Sequence, residues 1–441
     1  MKFKIRNDIL IKSKSLRTSL MKEYNYEDLS HSVAYFVDKI QELEKNNKQI
    51  SVLFGFLSFA SVSCMLALIK SKVNYTIIHY TGDSIPEHTT KYCSHILLLG
   101  PFDNQDNITG DVKRNPDMFT NVNDIEIEDH LTSYSKKDDL IFEFSDQQKI
   151  YGLMAVDDYK TELIHSTGKI EESSVLAAVN YLYKDDDYCL IYRPCRHIGV
   201  ATLSVYPALF KAKTIVLCVD KEEWTKEMEP ATHVHLGFNM IQEKWPLPKK
   251  LRMLTSGGYS FNSDCINYVT GISEIDQIID CYGTHFCPPP LAIRELSKIE
   301  NNALAPFTWI NEFIRPFNIS DILYFNTTDN TAFKKLMSER LNTDFESNLI
   351  PTNDKIKNIN ENTFYFFGRA DQVVRVNHRQ MNVSQFVQFA YEGTKIKDLK
   401  VDFKTLNGVD VPVIKVNSQY KTMLENFALS NHIEAEIEYH D

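Results

Sequence analysis

Residues 50–80 contain a strand-like run, a helix-like run and a second strand-like run, and this order restricts the folds open to the chain. The three runs read ISVLFGF, SFASVSCMLALIKSK and VNYTIIHY. Ser58 stands at the N-cap of the helical run, where its hydroxyl can accept a hydrogen bond from the first turn. A strand–helix–strand unit of about 30 residues is a βαβ unit, whose strands are buried on both faces. The pattern therefore predicts an α/β fold.

A membrane helix is the other structure that this region suggests, and we reject it. Ile50–Ile69 is a run of twenty residues without a charge, which is the length that spans a bilayer. The run contains four serines and a glycine, and it divides into the strand and the helix described above. We therefore expect no contact with a membrane.

Strand and helix continue to alternate from about residue 140 to 290. The strand-like runs are LIFEF, KIYGLMAV, TELIHS, YCLIYR, KTIVLCV, LRMLTSG and DQIIDCYGT, and the helix-like runs between them include EESSVLAAVNYLY and VATLSVYPALF. Such alternation predicts stacked, mostly parallel sheets with helices. We interpret residues 1–48 as polar helical pieces, and the elements after Pro288–Pro290 as shorter and more β-like.

Composition excludes several classes of protein. The 441 residues are 43% hydrophobic and 24% charged, as in a chain with a folded core rather than a disordered one. The net charge of −11 disfavours a general nucleic-acid binder. The eight cysteines form no CxxC pair and most have apolar neighbours, which indicates free buried thiols and a cytoplasmic protein. His233 and His235 have no cysteine at metal-ligand spacing, so a zinc site is disfavoured.

The most informative stretch is residues 364–387, FYFFGRADQVVRVNHRQMNVSQFV. Alone, it predicts a strand that ends at Gly368, a turn flanked by Arg369 and Asp371, and a second strand, QVVRV. It also resembles the GRxDxxVKxxGxRI segment of the adenylate-forming superfamily, which contains acyl-CoA synthetases, peptide-synthetase adenylation domains and firefly luciferase. The resemblance covers the Gly–Arg pair, the aspartate, the alternating strand and the later Arg379.

Five further segments follow the order of the family's motifs. LIHSTGKIEE stands where the phosphate loop belongs, RPCRHIGVATLSVYPALFKAKTIVL is similar to the segment with a histidine before a helix, and LRMLTSGGYS is similar to the strand before an SGG turn. IIDCYGTHF resembles the YGxTE segment, and PTND, which ends 15 residues before Arg369, resembles the TGD segment. These matches span about 165–387, so the resemblance covers most of the chain.

The resemblance implies a site for ATP or AMP. The residues that would bind the nucleotide are Ser166, Thr167, Gly168, Gly257, Gly258, Tyr282, Gly283, Thr284, Asp354 and Arg369. Asp354 would accept hydrogen bonds from the ribose hydroxyls, a task suited to a carboxylate. Arg369 would lie near the ribose and the phosphates, and Tyr282 would stack on the adenine.

It also implies an acyl site and a division of the chain. Lys169 would contact a phosphate, and His197 would lie near the acyl pocket, which Ser256 would help to line. Asp371 would be the hinge between an N-terminal adenylation-like domain, residues 1–370, and a small, truncated α+β domain, residues 371–441.

Each of these assignments has a structural alternative. Asp354 and Arg369 also fit a buried ion pair, and Tyr282 also fits a packed core residue. His197 also fits a hydrogen-bonded core histidine, and Lys169 fits a solvated lysine at a helix start.

The sequence departs from the family's pattern at residues that carry chemistry. The phosphate loop is shortened around Ser166–Lys169, so fewer backbone N–H groups surround an anion. The glutamate that normally holds Mg²⁺ is replaced by Phe286, with His285 in the usual threonine position, so Mg²⁺ remains possible but lacks its usual ligand. Glu295 is a candidate substitute. The sequence stops at a strand that resembles the one before the family's PxxxxGK segment, so we expect the catalytic lysine to be missing.

Two functions are compatible with these observations. The first is a divergent ATP-dependent ligase that activates a carboxylic acid as an acyl-adenylate and transfers the acyl group to a thiol or an amine, with a carrier protein or partner subunit as a possible partner. The second is a catalytically degenerate homologue that binds a nucleotide or acyl group, or acts in an assembly.

Overall fold

A computed structural model describes most of the chain. The described residues are 1–15, 20–44, 50–54, 57–79, 95–99, 119–122, 133–145, 147–155, 161–192, 198–237, 240–241, 243–257, 263–284, 287–296, 305–312, 315–319, 322–326, 349–369, 373–377, 379–397, 399–406 and 409–440.

The elements are given in chain order. The first are β1 (Phe3–Lys4), β2 (Leu10–Lys14), β3 (Met21–Asn25), α1 (Tyr26–Glu44), β4 (Ile50–Phe54), α2 (Phe59–Ser71), β5 (Tyr75–His79), β6 (His95–Leu99), β7 (Phe119–Val122) and β8 (Ile141–Phe142). Next come β9 (Lys149–Ala155), β10 (Thr161–Thr167), α3 (Gly168–Tyr181), β11 (Tyr188–Ile191), α4 (Ile198–Val200), a π-helical turn (Ala201–Val205), α5 (Tyr206–Lys211), β12 (Thr214–Leu217), α6 (Lys221–Glu227), β13 (His233–Leu236), β14 (Lys250–Gly257), α7 (Ser263–Ile272), β15 (Glu274–Thr284) and β16 (Cys287–Glu295). The last are β17 (Phe307–Trp309), β18 (Arg315–Ile319), β19 (Ile322–Asn326), β20 (Leu349–Asn358), β21 (Thr363–Arg369), β22 (Val373–Val376), β23 (Arg379–Asn382), α8 (Val383–Thr394), β24 (Lys400–Leu406), β25 (Val409–Asn417), a 3-10 turn (Ser418–Tyr420), α9 (Lys421–Ser430) and β26 (Glu436–His440).

Two sheets organise the part of the chain before residue 370. The larger sheet has the strand order β18-β19-β20-β21-β17-β16-β15-β14-β13-β11-β12-β2-β3, and the smaller has the order β10-β9-β5-β4-β6-β7. The strands from β2 to β15 in this order are parallel neighbours, as predicted. From β15 to β18 the neighbours are antiparallel. The α/β class is confirmed, and the parallel arrangement is confined to the middle of the large sheet and part of the small one.

The βαβ unit expected at residues 50–80 is present. Strands β4 and β5 are parallel neighbours, with Ile50 opposite Tyr75. Helix α2 begins after Ser58, whose hydroxyl accepts a hydrogen bond from the Ser61 backbone N–H, while the Ser61 hydroxyl accepts one from the Ser58 N–H. This reciprocal pair satisfies two N–H groups that the helix itself leaves without partners. In the part of the chain that the structure describes, no helix has the length and apolar character needed to cross a membrane.

The prediction of helical pieces for residues 1–48 is wrong before Tyr26. Strand β2 runs parallel to β12, and β3 pairs antiparallel with β2 at the edge of the large sheet. Burial alternates along β2, with Ile11 and Ser13 buried between more exposed neighbours, which suits a half-buried strand. Pairing with a strand about 200 residues later decides the conformation, and no local signal shows this pairing.

The core lies on both faces of the large sheet. Helices α3 and α5 and the π-helical turn cover one face through a cluster that includes Val175, Leu203 and Ile279. The Ser174 hydroxyl donates to the Pro288 carbonyl (2.7 Å) and the Thr202 hydroxyl donates to the Pro289 carbonyl (2.9 Å), which ties these helices to β16. Trp224 and Trp245 belong to the cluster on the opposite face.

The residues after 372 build a hydrophobic cluster of their own. Val374, Phe386, Ile414 and Leu424 are fully buried in it. Strand β22 pairs with β23 around Asn377, whose φ is 49°. The hairpin in the motif region is therefore formed by β22 and β23, whereas β21 pairs with β17 and β20. Asp371 lies outside the described residues, so the hinge and the domain boundary remain predictions.

The cysteines in the described residues are free and buried. They are Cys64, Cys189, Cys218, Cys265, Cys281 and Cys287. Cys93 and Cys195 lie outside the described residues.

A buried ion pair joins the starts of three parallel strands. Asp187 precedes β11 and is 1% exposed. Its carboxylate accepts hydrogen bonds from Arg252 Nε (2.8 Å), the Lys184 backbone N–H (2.7 Å) and the Thr232 hydroxyl (3.0 Å). These donors, together with His233, outweigh burial and hold the pKa of Asp187 well below its ordinary value of 3.8. The ionised carboxylate therefore stabilises the fold.

Replacing Asp187 by Asn should lower the free energy of unfolding at pH 7 by about 3 kcal/mol, since it leaves Arg252 partly buried without its counter-ion. The stabilisation by Asp187 is present above the unfolded-state pKa and is lost as pH falls toward the folded-state pKa. The wild type should therefore lose stability below about pH 4 more steeply than the Asp187→Asn variant.

Urea denaturation between pH 3 and pH 7 measures this difference. Asp276→Asn is the control, because Asp276 is exposed on β15. Parallel pH profiles for wild type and Asp187→Asn would contradict the assignment.

Candidate functional site

The two residues with the sharpest assignment, Asp354 and Arg369, lie directly opposite each other. Strands β20 and β21 pair antiparallel, and their register makes Asp354 and Arg369 Cα partners. Asp354 is 8% exposed, and its backbone N–H donates to the Thr352 hydroxyl (3.1 Å). Thr352 in turn donates to the Leu323 carbonyl (3.0 Å) on β19. The strand pairing therefore fixes the carboxylate beside the backbone of the arginine.

Tyr282 joins Asp354 from the other side. Its hydroxyl donates a hydrogen bond to Asp354 Oδ2. Its ring lies among four aromatic rings at centroid distances of 5.3–6.0 Å, and these five residues form the aromatic cluster: Tyr282, Phe307, Trp309, Phe364 and Phe366. Tyr282 is 6% exposed. The tyrosine is both a packed residue and a hydrogen-bond partner of Asp354.

Close backbone contacts explain two of the glycines. A Cβ atom on Gly283 would lie 2.8 Å from the Pro289 backbone nitrogen, and one on Gly257 would lie 2.7 Å from the Cys281 carbonyl oxygen. These distances are shorter than van der Waals contact, so a larger residue would force the strands apart. Thr284, one residue after Gly283, accepts a hydrogen bond from the Cys287 N–H (3.2 Å). Gly257, Gly283 and Thr284 therefore restrict the backbone conformation and packing around Tyr282.

The segment assigned to the phosphate loop is the junction between strand β10 and helix α3. Thr167 is the N-cap, and its hydroxyl accepts a hydrogen bond from the Ile170 N–H (3.4 Å). The Gly168 N–H donates to the Gln148 carbonyl (3.0 Å), and Lys169 Nζ lies 3.2 Å from Glu172 Oε2. Ile170 packs in the same hydrophobic cluster as Tyr282. The junction is therefore near the aromatic cluster, with its polar groups engaged within the protein.

Several predicted residues lie outside the described residues. They are His197, Gly258, His285, Phe286 and Asp371. For Ser166 and Arg369 only the backbone is described. Their assigned roles remain predictions.

Glu295 does not replace the missing glutamate of the YGxTE segment. The antiparallel register of β15 and β16 places Glu295 opposite Ile279. Ile279 is five residues before Thr284, so Glu295 is displaced by roughly 16 Å along the strands. Neither Phe286 nor Glu295 therefore supplies a carboxylate beside Thr284 for Mg²⁺.

A second buried ion pair next to Tyr282 was not predicted. Arg294 Nε and Nη2 contact Asp280 Oδ2 at 2.8 and 2.7 Å, and the guanidinium lies 4.7 Å from the Phe307 ring centroid. Asp280 and Tyr282 share a face of β15 because they are two residues apart. This spacing is a usable sequence signal, whereas the partners on β16 and β17 are visible only in the fold.

Another cluster has the donor types of a metal site. One atom each of Asp187, Cys189 and His233 lie within 4.8 Å of one another, and all three residues are buried. His233 Nδ1 is 3.8 Å from Asp187 Oδ2, and burial lowers the pKa of His233. However, Arg252 contacts the same carboxylate, which also accepts bonds from Lys184 and Thr232. A cation would compete with these donors and with a guanidinium, so we interpret the cluster as a core ion-pair network.

The fold is shared with solved structures of adenylate-forming enzymes. ATP-bound MatB from Rhodopseudomonas palustris matches with a TM-score of 0.74 and 11% identity over 99% of this chain and 92% of that chain. The anthranilate CoA ligase AuaEII with anthranoyl-AMP matches with a TM-score of 0.68 and 11% identity over 95% of this chain and 89% of that chain. McyG A-PCP with phenylalanyl-adenylate matches with a TM-score of 0.67 and 12% identity over 99% of this chain and 89% of that chain. No family model and no curated protein matches the sequence. The likeness therefore shows the fold.

Gly283→Ala tests the close approach of β15 and β16. The added Cβ would overlap Pro289, so the free energy of unfolding should fall by about 1–3 kcal/mol. Gly271→Ala is the matched control, because a Cβ there meets nothing within 4 Å and Gly271 lies in helix α7. The control should gain about 0.5–1 kcal/mol. Chemical denaturation measures both, and equal stability of the two variants would contradict the proposed packing.

Proposed function

We propose that this chain, which has the fold of the adenylate-forming superfamily, binds ATP and AMP and activates a carboxylic acid as an acyl-adenylate. The observation that carries the proposal is the pairing of Asp354 with Arg369 beside the Tyr282 hydroxyl. These three residues were assigned to the nucleotide from the sequence, and they come from strands separated by up to 87 positions. If Asp354 and Arg369 only stabilised the fold as an ion pair, the Tyr282 hydroxyl would not be required beside Asp354.

The proposed reaction is an attack of a carboxylate oxygen on the α-phosphorus of ATP. The new bond joins the acid to AMP, the bond between the α- and β-phosphates breaks, and pyrophosphate leaves with that electron pair. A thiol or amine then attacks the acyl carbon, and AMP leaves. Such phosphoryl chemistry depends mainly on positioning and charge stabilisation.

The chain's residues supply the positioning in this proposal. Asp354 accepts hydrogen bonds from the ribose hydroxyls, Tyr282 contacts the adenine, and Arg369 neutralises phosphate charge. The strand around Ser256 and Gly257, with Gly258 and His197, faces the acyl group. We propose that Asp371 acts as the hinge of the small C-terminal domain and that the acceptor is a small thiol or amine, or a carrier or partner protein. The buried free cysteines are consistent with a cytoplasmic site of action.

A second candidate function is nucleotide binding without adenylation. It is favoured by the junction of β10 and α3, where Thr167, Gly168 and Lys169 make hydrogen bonds or an ion pair within the protein. It is also favoured by Phe286 in the usual position of the magnesium-binding glutamate. Losing one preorganised charge costs about 10²–10³ in rate. Such a chain would bind AMP or ATP and transfer nothing.

Calorimetric titration with ATP and AMP, with and without Mg²⁺, tests the proposal. We expect binding of both nucleotides, and Arg369→Ala should weaken ATP binding by about tenfold or more because a charge-assisted contact is lost. Arg375→Ala is the control, since Arg375 is exposed on β22 and forms an ion pair with the exposed Glu434 (3.6 Å). The control should bind as the wild type does.

The outcome separates the two candidates. ATP–pyrophosphate exchange with any of a panel of aromatic, small and fatty acids supports the ligase. Nucleotide binding without exchange supports the second candidate. Absence of binding by the folded wild type would contradict both.

A further inference from the structure

The Tyr282 hydroxyl and Asp354 form a contact that a nucleotide would have to share or break. This inference rests on the proposed function, in which Asp354 receives the ribose. The hydroxyl donates to Asp354 Oδ2, and both side chains are less than 10% exposed. The two residues are 72 positions apart, so the bond depends on the packing of the strands that carry them.

The tyrosine is held so that its hydroxyl points at the carboxylate. Phe366 is 5.3 Å and Phe364 is 5.7 Å from the Tyr282 ring centroid. The ring centroids of Phe307 and Trp309 lie 5.8 and 6.0 Å from the Tyr282 ring centroid. Rotation of the ring away from Asp354 would therefore require repacking of the aromatic cluster.

The carboxylate is held from its own strand. The Asp354 N–H donates to Thr352, and the antiparallel register places Arg369 opposite. Because the aspartate and the tyrosine are both fixed, their hydrogen bond forms at little further loss of conformational freedom. A hydrogen bond to a charged group is also stronger than one between neutral groups.

The chemistry of ribose sets up a competition at this carboxylate. The two neighbouring ribose hydroxyls are donors, and an ionised carboxylate offers two acceptor oxygens. Tyr282 already donates to Oδ2. A ribose hydroxyl that donates to the same oxygen therefore shares it with the tyrosine hydroxyl, and each donor draws charge from the oxygen that the other needs.

We infer that the Tyr282 hydroxyl is a latch: it donates to the Asp354 carboxylate before a ribonucleotide binds and thereby lowers the affinity for ribonucleotides. The aromatic ring and the hydroxyl then have opposite effects on binding. The ring provides the surface for adenine, and the hydroxyl opposes the ribose. Removal of the hydroxyl alone should tighten binding, the reverse of the usual effect of trimming a binding-site residue.

Tyr282→Phe tests the latch because it keeps the ring and removes the hydroxyl. Calorimetric titration of the full chain with AMP should give a dissociation constant about tenfold lower than that of the wild type, which corresponds to ~1.4 kcal/mol. Titration with 2′,3′-dideoxy-AMP, which lacks both ribose hydroxyls, should show no such gain. The thermal unfolding temperature of the nucleotide-free variant should fall, and AMP should raise it more than it raises that of the wild type.

Tyr268→Phe is the matched control. The Tyr268 hydroxyl donates to the Trp245 carbonyl (2.8 Å), and Tyr268 packs against a hydrophobic cluster that contains neither Tyr282 nor Asp354, so its loss removes a hydrogen bond without touching Asp354. This variant should bind AMP as the wild type does.

The possible outcomes distinguish the latch from the proposed function. Wild-type binding of AMP with equal or weaker binding by Tyr282→Phe overturns the latch and leaves the proposed function standing. An equal gain for AMP and its dideoxy analogue also overturns the latch, because the effect then lies in the adenine pocket. AMP binding only by Tyr282→Phe supports the latch. No binding by either folded protein overturns both proposals.

Discussion

Strand β15 is the constraint on which the rest of the candidate site depends. It is parallel to β14 on one edge and antiparallel to β16 on the other, so it joins the two halves of the large sheet. Gly257 lets β14 lie against the Cys281 carbonyl of β15, and Gly283 lets β15 lie against Pro289 of β16, where an added Cβ would come as close as 2.7 and 2.8 Å. With the backbone fixed, the alternation of side chains puts Asp280 and Tyr282 on one face, before the register shift between Tyr282 and Thr284. The position of Tyr282 relative to Asp354 therefore follows from backbone packing.

Local sequence information is enough for the elements that depend on short-range contacts. The Ser58 N-cap and the βαβ unit at residues 50–80 are encoded within about 30 residues, and both are present. The first 25 residues show the limit of this information. Strand β2 owes its conformation to β12, and a short run with three polar residues is ambiguous until that partner is known. The change from parallel to antiparallel pairing at β15 likewise depends on which strands become neighbours in the sheet.

The candidate site shows the same division. The spacing of PTND and GR was enough to relate Asp354 to Arg369, because a short turn at residues 359–362 brings β20 back as β21. The bond between Tyr282 and Asp354 was beyond sequence reasoning, since its two residues lie in separate motifs and the aromatic cluster draws on three strands. The Asp187 cluster illustrates the opposite problem. Spacing alone gave His233 no partners, whereas the parallel register of β11 and β13 places it beside Cys189.

The features of the site divide into those that serve binding and those that serve chemistry. Adenine and ribose are neutral, and the proposed function assigns them to a ring and a carboxylate, Tyr282 and Asp354, which form a hydrogen bond in the structure. Adenylation requires positive charge around the phosphates, because negative charge shifts toward pyrophosphate as it leaves. Lys169 shares its charge with Glu172, and Phe286 offers no oxygen to a cation. In the proposed function, the groups that would bind adenine and ribose are therefore distinct from those that would stabilise charge near the α-phosphate. That charge decides between the proposed ligase and the proposed binding protein.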